Sequence, residues 1–356
     1  MSSSKSRLPG SLPTRLALIA VTMLALVAGV AACSTSTTGS AGSSGGTGSP
    51  SQLQNLYVKT VDSVLQSVVQ ISTSNSTGSG VVYDNHGDIV TNAHVVGNAT
   101  TVTVREPVGT KQMTATVIGT FPPDDLAVIR VQNNGTKLKP ANFANSNDVV
   151  VGQIVLAMGN PLGLIDSVTQ GIVSATGRTV GEGAGSNALI TAAIQTSAAI
   201  NPGNSGGALV NLNDQVIGIP TLAAILPEQG GAAPGIGFAI PSDTVKNIAG
   251  QLIKDGKVTK SDRASLGITA EDAASSSGQT DGVAVVSVAG GGAAASAGLK
   301  PGDVIVGVNQ TRITSLEELQ TVLAQYPPGT RVTIHYVRDG ADTARTTTAT
   351  LGSLTS

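Results

Sequence analysis

Asn201-Pro202-Gly203-Asn204-Ser205-Gly206-Gly207-Ala208-Leu209 is the stretch that decides how this chain is read. A serine hydroxyl is a weak nucleophile. It does chemistry only beside a base and next to N–H groups that can hold an oxyanion. Glycines on both sides of Ser205 let the backbone turn sharply enough to present such groups. Gly203 and Ser205 are two residues apart, so both amides can point into one hole, with Asn204 as a further candidate donor. Upstream, Thr91-Asn92-Ala93-His94-Val95-Val96 offers a base, because histidine titrates near working pH. Asp124-Asp125-Leu126-Ala127-Val128 offers two candidate carboxylates, Asp124 and Asp125, to orient that base.

Composition narrows the fold around this constellation. The chain has 356 residues, enough for about two domains, and 40% are hydrophobic, enough for a core. Aromatics are 2% and Trp is absent, so the core must be built from Val, Ile, Leu and Ala. Forty-four glycines and short β-branched runs, such as Val68–Ile71, Ser79–Tyr83 and Val128–Val131, predict a turn-rich sandwich or barrel. One cysteine excludes an intramolecular disulfide and a cysteine-based zinc cluster. A formal charge of −2 carries no nucleic-acid footprint. No cofactor or metal motif is found. Asp84-Asn85-His86-Gly87 reads as a hairpin turn, and His86 and His335 read as structural. The 178–187 and 227–236 stretches are Gly-rich and read as loops. A helix is predicted from Ser242 to Asp255, with Gly256 as its stop.

Gly203-x-Ser205-x-Gly207 also matches the nucleophile elbow of α/β-hydrolases. That fold needs serine, acid and histidine in this order. The only histidine after Ser205 is His335, which lies in a strand-like run far downstream. Histidine, aspartate, serine is instead the chymotrypsin-type order.

Ile194 to Asn211 resembles the serine segment of HtrA/DegP-type proteases. Thr91–Val96 resembles their histidine segment, Asp125–Ile129 their aspartate segment and Gly237–Pro241 the close of their catalytic domain. The likeness covers about Ser67 to Leu351. It implies a mainly β chain: a chymotrypsin-like double β-barrel followed by a small α+β PDZ domain. By position, His94 would be the general base, Asp125 its orienting acid and Ser205 the nucleophile. The family's acid directly precedes an apolar-Ala pair, which selects Asp125 over Asp124. Gly203 and Ser205 would supply the oxyanion amides, with Asn204 assisting. Ser197 and Pro220 depart from the family pattern. If Thr221–Ile225 lines the specificity pocket, its apolar character calls for a small or medium aliphatic residue before the cut. Asn204 cannot pair with a new N-terminal ammonium, so activation should be reversible ordering of loops, with Arg178–Leu189 and Thr221–Gly235 as candidates. The short Ser72–Thr77 stretch stands where relatives with cage assemblies carry a long loop, which implies a homotrimer.

Two flanking regions complete the reading. Lys5, Arg7 and Arg15 precede an apolar run from Leu16 to Ala32 that ends Val30-Ala31-Ala32-Cys33, the layout of a secretory signal. Small residues before a lone Cys resemble a bacterial lipobox, which would lipidate Cys33 and tether the protein to the outer face of the cytoplasmic membrane. A retained membrane anchor is the alternative. Cutting at 33 removes three of the 20 basic residues and takes the formal charge from −2 to −5. Residues 34–52 are Ser/Gly/Thr-rich and read as a tether, 53–258 as the protease domain and 264–352 as the PDZ domain. Ala297–Ile305 with Val308-Asn309 looks like a PDZ signature, and Ser315-Leu316-Glu317-Glu318 is a capping box. PDZ domains take C-terminal peptides as an added strand, and the matching loop here is Leu266, Gly267 and Ile268. The expected partners are unfolded or misfolded exported proteins and C-terminal peptides. A proteolytically silent chaperone or PDZ scaffold is the alternative function.

Overall fold

The computed structural model describes residues 50–107, 111–132, 138–160, 167–181, 188–201, 203–226, 231–274, 280–338, 340–341 and 343–356. For 222–226 and 231–234 only the backbone is described. The signal segment, Cys33 and most of the tether lie outside these residues. All described residues fall in one unit spanning Gly48–Ser356. Its first element is helix α1, Pro50–Leu65, so residues 50–52 are helical and not tether. Proline suits a first helical position because its missing N–H would have no partner there anyway. Val64 and Leu65 are buried in the core, and Thr60 donates to Asp214 Oδ1 at 2.7 Å.

Six antiparallel strands follow: β1 (Val68–Ser72), β2 (Thr77–Val82), β3 (Asp88–Thr91), β4 (Thr101–Arg105), β5 (Gln112–Phe121) and β6 (Leu126–Val131). They close into a barrel in the order β1-β2-β3-β6-β5-β4. The barrel is filled by Val69, Ile71, Val82, Ile89, Val102, Val104 and Ile129, the β-branched residues that fit a pleated surface. The second ring is built from β7 (Asn142–Phe143), β8 (Ile154–Gly159), β9 (Ser167–Gly181), β10 (Leu189–Thr196), β11 (Ala208–Asn211), β12 (Gln215–Leu226) and β13 (Gly231–Pro241). Its order is β11-β8-β9-β10-β13-β12-β7, and the extra β11–β12 pairing closes six of these strands into a ring. The two barrels expected from the resemblance are therefore both present. A shared core joins them, centred on fully buried Phe121 with Val90, Leu126, Met158 and Ile240.

The Gly-rich stretches are a correction. Residues 178–181 continue β9, pairing Leu189 with Gly181 and Ile190 with Val180. Residues 231–236 belong to β13, pairing Leu226 with Gly231. Backbone ladders extend these hairpins without needing apolar side chains, so composition alone reads them as loops. Residues 182–187 and 227–230 lie outside the described residues.

Helix α3, Ser242–Asp255, buries Val245, Ile248, Ala249 and Leu252, and Gly256 ends it in the left-handed region (φ 68°) with its N–H on Leu252 O. The last unit has its own core around Leu266, Val283, Ile305, Leu319 and Ile334. Its strands are β14 (Ala264–Ser265), β15 (Ile268–Ala274), β16 (Thr280–Val288), β17 (Val304–Val308), β18 (Thr311–Arg312), β19 (Arg331–Val337), β20 (Arg345–Thr350) and β21 (Gly352–Ser353). Helices α4 (Ala293–Ser296) and α5 (Leu316–Leu323) complete it. Ser315 caps α5 by accepting from Glu318 N, as its sequence foretells. His335 Nε2 meets Asn309 O at 2.8 Å, and His86 pairs with Asp84 in its turn.

Candidate active site

His94 sits on a single helical turn, α2 (Ala93–Val96), beside the barrel junction. The three residues Asn92-Ala93-His94 grip Asp125. The Asn92 side-chain amide and the Ala93 N–H both donate to the Asp125 carbonyl, at 3.0 and 3.1 Å. The His94 N–H donates to Asp125 Oδ1 at 3.0 Å, and His94 Nδ1 meets Asp125 Oδ2 at 2.8 Å. The carboxylate is 2% exposed and the imidazole 43%, so the ring reaches from a buried anchor toward solvent. With Nδ1 committed to the carboxylate, Nε2 is the nitrogen left for acid–base work.

Asp125 follows the short turn Pro122–Asp124 and takes a left-handed conformation (φ 49°). Aspartate tolerates this region better than bulkier residues. Its contacts through both backbone and carboxylate over-determine that conformation, the pattern expected where strain is held at a site. Asp124 points elsewhere. Its carboxylate accepts from Arg263 Nη1 at 2.9 Å, and the same guanidinium donates to Pro123 O. Burial pushes the Asp124 carboxyl above the usual carboxylate range, and the Arg263 charge offsets this only in part. The geometry thus gives Asp125 to His94 and Asp124 to the last unit.

Ser205 lies in the turn between β10 and β11. Gly206 next to it has φ 79°, and a Cβ there would lie 2.2 Å from Ser79 O. Gly203 has φ 110°, a conformation open to glycine. The N–H groups of Gly203 and Ser205 have no acceptor among the described residues. Asn204 departs from its expected role. Its N–H donates to Asn201 O at 3.0 Å and its side-chain amide to Ala199 O at 3.1 Å, so it braces the loop from behind.

Thr221 is a residue that sequence reading missed. Its hydroxyl donates to Asp125 Oδ2 at 2.5 Å, and its carbonyl accepts from Ser205 Oγ at 3.2 Å. Its side chain thus faces the carboxylate. Leu222 to Ile225, the rest of the expected lining, have no described side chains. Pro220 sits beside a register break in β12, where a missing N–H is tolerated, and its carbonyl accepts from Gly206 N. Ser197 exchanges bonds with Ile172: its N–H donates to Ile172 O and its hydroxyl oxygen accepts from Ile172 N.

In the last unit, β15 and α5 flank a cavity of about 300 Å³ lined by Leu266, Ile268, Ala270, Leu319 and Leu323. Pro123 reaches its rim from the turn that carries Asp125. Gly267 is left-handed (φ 70°), and its N–H donates to Ser265 Oγ at 3.0 Å.

Residues 78–219 match the family model of a trypsin-like peptidase domain, and 264–348 that of a PDZ domain. The chain is 39% identical over 321 residues to the serine protease PepD of Mycobacterium tuberculosis, covering 85% of this chain and 66% of that protein. It is 41% identical over 284 residues to the serine protease Do-like HtrA of Lactococcus lactis, covering 74% of this chain and 68% of that protein. The match to periplasmic serine endoprotease DegP of Escherichia coli, 43% identical, spans about half of that protein (54%) and 74% of this chain. The crystal structure of the serine endoprotease from Yersinia pestis overlays with a TM-score of 0.55 at 33% identity, covering 84% of this chain and 98% of that one. A trypsin-like peptidase unit followed by one PDZ unit, with these relatives, places the chain in the HtrA/DegP-type serine protease family.

Proposed function

We propose that this protein is an ATP-independent serine endopeptidase that cleaves unfolded or misfolded exported proteins outside the cytoplasmic membrane. The observation that carries the reading is the 2.8 Å contact between His94 Nδ1 and Asp125 Oδ2, made beside the glycine turn that presents Ser205. In the proposed cycle Ser205 Oγ turns about χ1 from the Thr221 carbonyl toward His94 Nε2. His94 takes the hydroxyl proton as Oγ attacks the substrate carbonyl carbon. The Gly203 and Ser205 N–H groups hold the resulting oxyanion, and one such donor is typically worth about 100- to 1,000-fold in rate. The imidazolium, stabilised by Asp125, protonates the leaving amine as the C–N bond breaks. His94 then deprotonates a water, which releases the acyl group as a carboxylic acid and restores Ser205. Residues of this chain carry every proton in the cycle.

The finer proposals rest on the sequence. Lipidated Cys33 would tether the chain to the outer membrane face through residues 34–49, and the catalytic unit would work as a homotrimer. The PDZ groove would hold a C-terminal peptide, with Leu266, Gly267 and Ile268 around its carboxylate. Turnover of unfolded casein tests the activity. The wild type should degrade it and Ser205→Ala should not. If neither degrades casein after heat, C-terminal peptides or lipid anchoring, the chaperone or scaffold reading replaces this one.

A further inference from the structure

Ser79 lies in β2 of the first barrel, yet its polar groups serve the nucleophile turn of the second. It is fully buried. Its N–H donates to Ser205 O at 2.9 Å and its hydroxyl donates to Gly203 O at 2.5 Å. The hydroxyl oxygen also accepts from Asn160 N at 2.8 Å, at the end of β8. Its carbonyl in turn accepts from Thr91 Oγ1 at 2.6 Å. One residue therefore fastens both ends of the Gly203–Ser205 segment, Ser205 through the Ser79 backbone N–H and Gly203 through the Ser79 hydroxyl, and the hydroxyl also ties in the end of β8. Glycines on either side pack β2 tightly into its own barrel, and a Cβ at Gly78 would also lie 3.4 Å from Ser205 O. A Cβ at Gly78 would collide with Val95 and one at Gly80 with Ile71 and Ile89.

Gly203 is the weak point of an oxyanion hole. At φ 110° no Cβ restricts it, so its own backbone does not hold the N–H in place. Anchoring its carbonyl from outside the turn supplies that restraint, because turning the carbonyl also turns the peptide planes beside it. Preorganised donors stabilise a transition state only if they do not have to be reoriented during reaction.

We infer that Ser79 is a positioning residue of the oxyanion hole: its hydroxyl fixes the Gly203 carbonyl so that the Gly203 and Ser205 N–H groups face the reacting carbonyl. This rests on the serine-protease reading above. It separates Ser79 from a plain packing residue, which would affect stability and not the chemical step.

The test compares the wild type, Ser79→Ala, Ser79→Cys and Thr60→Val on a short peptide substrate. Rates are normalised to sites labelled by a hydroxyl-reactive phosphonate. Thr60, on α1, is equally buried and hydroxyl-bonded, but to Asp214 between β11 and β12, so it reports the cost of losing a buried bond remote from the site. Ser79→Ala should lower kcat at least tenfold, approaching the roughly 100-fold lower bound for losing one oxyanion donor. KM should change less than about threefold. The Ki of a peptide trifluoromethyl ketone, whose hemiketal oxygen occupies the hole, should rise by the same factor as kcat falls. Ser79→Cys, with a weaker donor, should fall between the two. Thr60→Val should lose thermal stability and keep kcat. If folded Ser79→Ala keeps kcat within twofold per labelled site, or loses kcat with no rise in Ki, or if Ser79→Cys is no more active than Ser79→Ala, the assignment is overturned. A wild type that cleaves no better than Ser205→Ala would instead remove the protease reading beneath it.

Discussion

Thr221 and Asp125, 96 residues apart, share a 2.5 Å hydrogen bond in which the threonine hydroxyl donates to the carboxylate oxygen that also meets His94. The carboxylate is buried at 2% exposure, so each donor it receives matters. Bonds to charged groups contribute about 1.5–3 kcal/mol. Thr221→Val keeps the shape and removes the donor. We expect kcat/KM to fall by roughly 10- to 100-fold, the rate equivalent of that energy, with KM little changed. Thr221→Ser should restore most of the loss. Steady-state kinetics on a peptide substrate decide it, and an unchanged kcat for Thr221→Val would refute the role.

Arg263 and Asp124 make a buried ion pair one residue from Asp125, with side chains 9% and 4% exposed. Removing one partner of such a pair costs about 3–5 kcal/mol because a charge is left uncompensated. Arg263→Ala should therefore be strongly destabilised at pH 7.5, read as a lower denaturation midpoint. The loss should shrink toward pH 4, where Asp124 can take up a proton.

The wild type carries the corresponding signature. Burial raises the Asp124 carboxyl above its unfolded value even with Arg263 beside it. Its contribution to stability is fully present below the unfolded carboxylate pKa and is lost as pH rises through the folded one. The difference in melting temperature between wild type and Asp124→Asn should therefore be greatest at low pH and fall with rising pH. A difference that grows with pH would contradict the stated sign.

Asp303 should behave oppositely. Burial pushes its carboxyl up, but the two bonds from Arg338 and the Lys300 N–H outweigh this and hold it below the usual range. Its contribution is present above the unfolded pKa and is lost as pH falls through the folded value. Asp303→Asn should lower stability at pH 7 by about 1–3 kcal/mol. It should also flatten the acid limb of the unfolding curve below about pH 4. Denaturant titrations at several pH values measure both.

Much of this was legible in sequence. The three catalytic segments carry their own glycine, histidine and acid signals, and chain order separates the barrel fold from the α/β-hydrolase rival. The α3 stripe and its Gly256 stop are local, as is the Ser315 cap. Thr221, Ser79 and Arg263 were not legible, because their roles depend on partners 96, 124 and 139 residues away. No periodicity records such a bond. Ser79 stands in a β-branched run that reads as an ordinary strand, flanked by glycines that leave room for Val95, Ile71 and Ile89 of its own barrel. The Gly-rich hairpins were missed because backbone pairing alone extends them.

The groove beside α5 gives a further outcome. A peptide with a free, aliphatic C-terminus should bind, and the same peptide with an amidated terminus should not. Gly267→Val should weaken binding at least tenfold, because a β-branched residue is strained at φ 70°. Fluorescence anisotropy reads the affinities. Equal binding of amidated and free peptides would contradict a carboxylate nest at Leu266, Gly267 and Ile268.

The central claim is that Asp125-held His94 makes Ser205 a nucleophile. The most direct measurement is labelling of the purified chain with a hydroxyl-reactive phosphonate, mapped by peptide mass spectrometry in the wild type and in His94→Ala. The account predicts a covalent adduct on Ser205 in the wild type and its near absence in His94→Ala. Equal labelling in both, or an adduct on another serine, would contradict it.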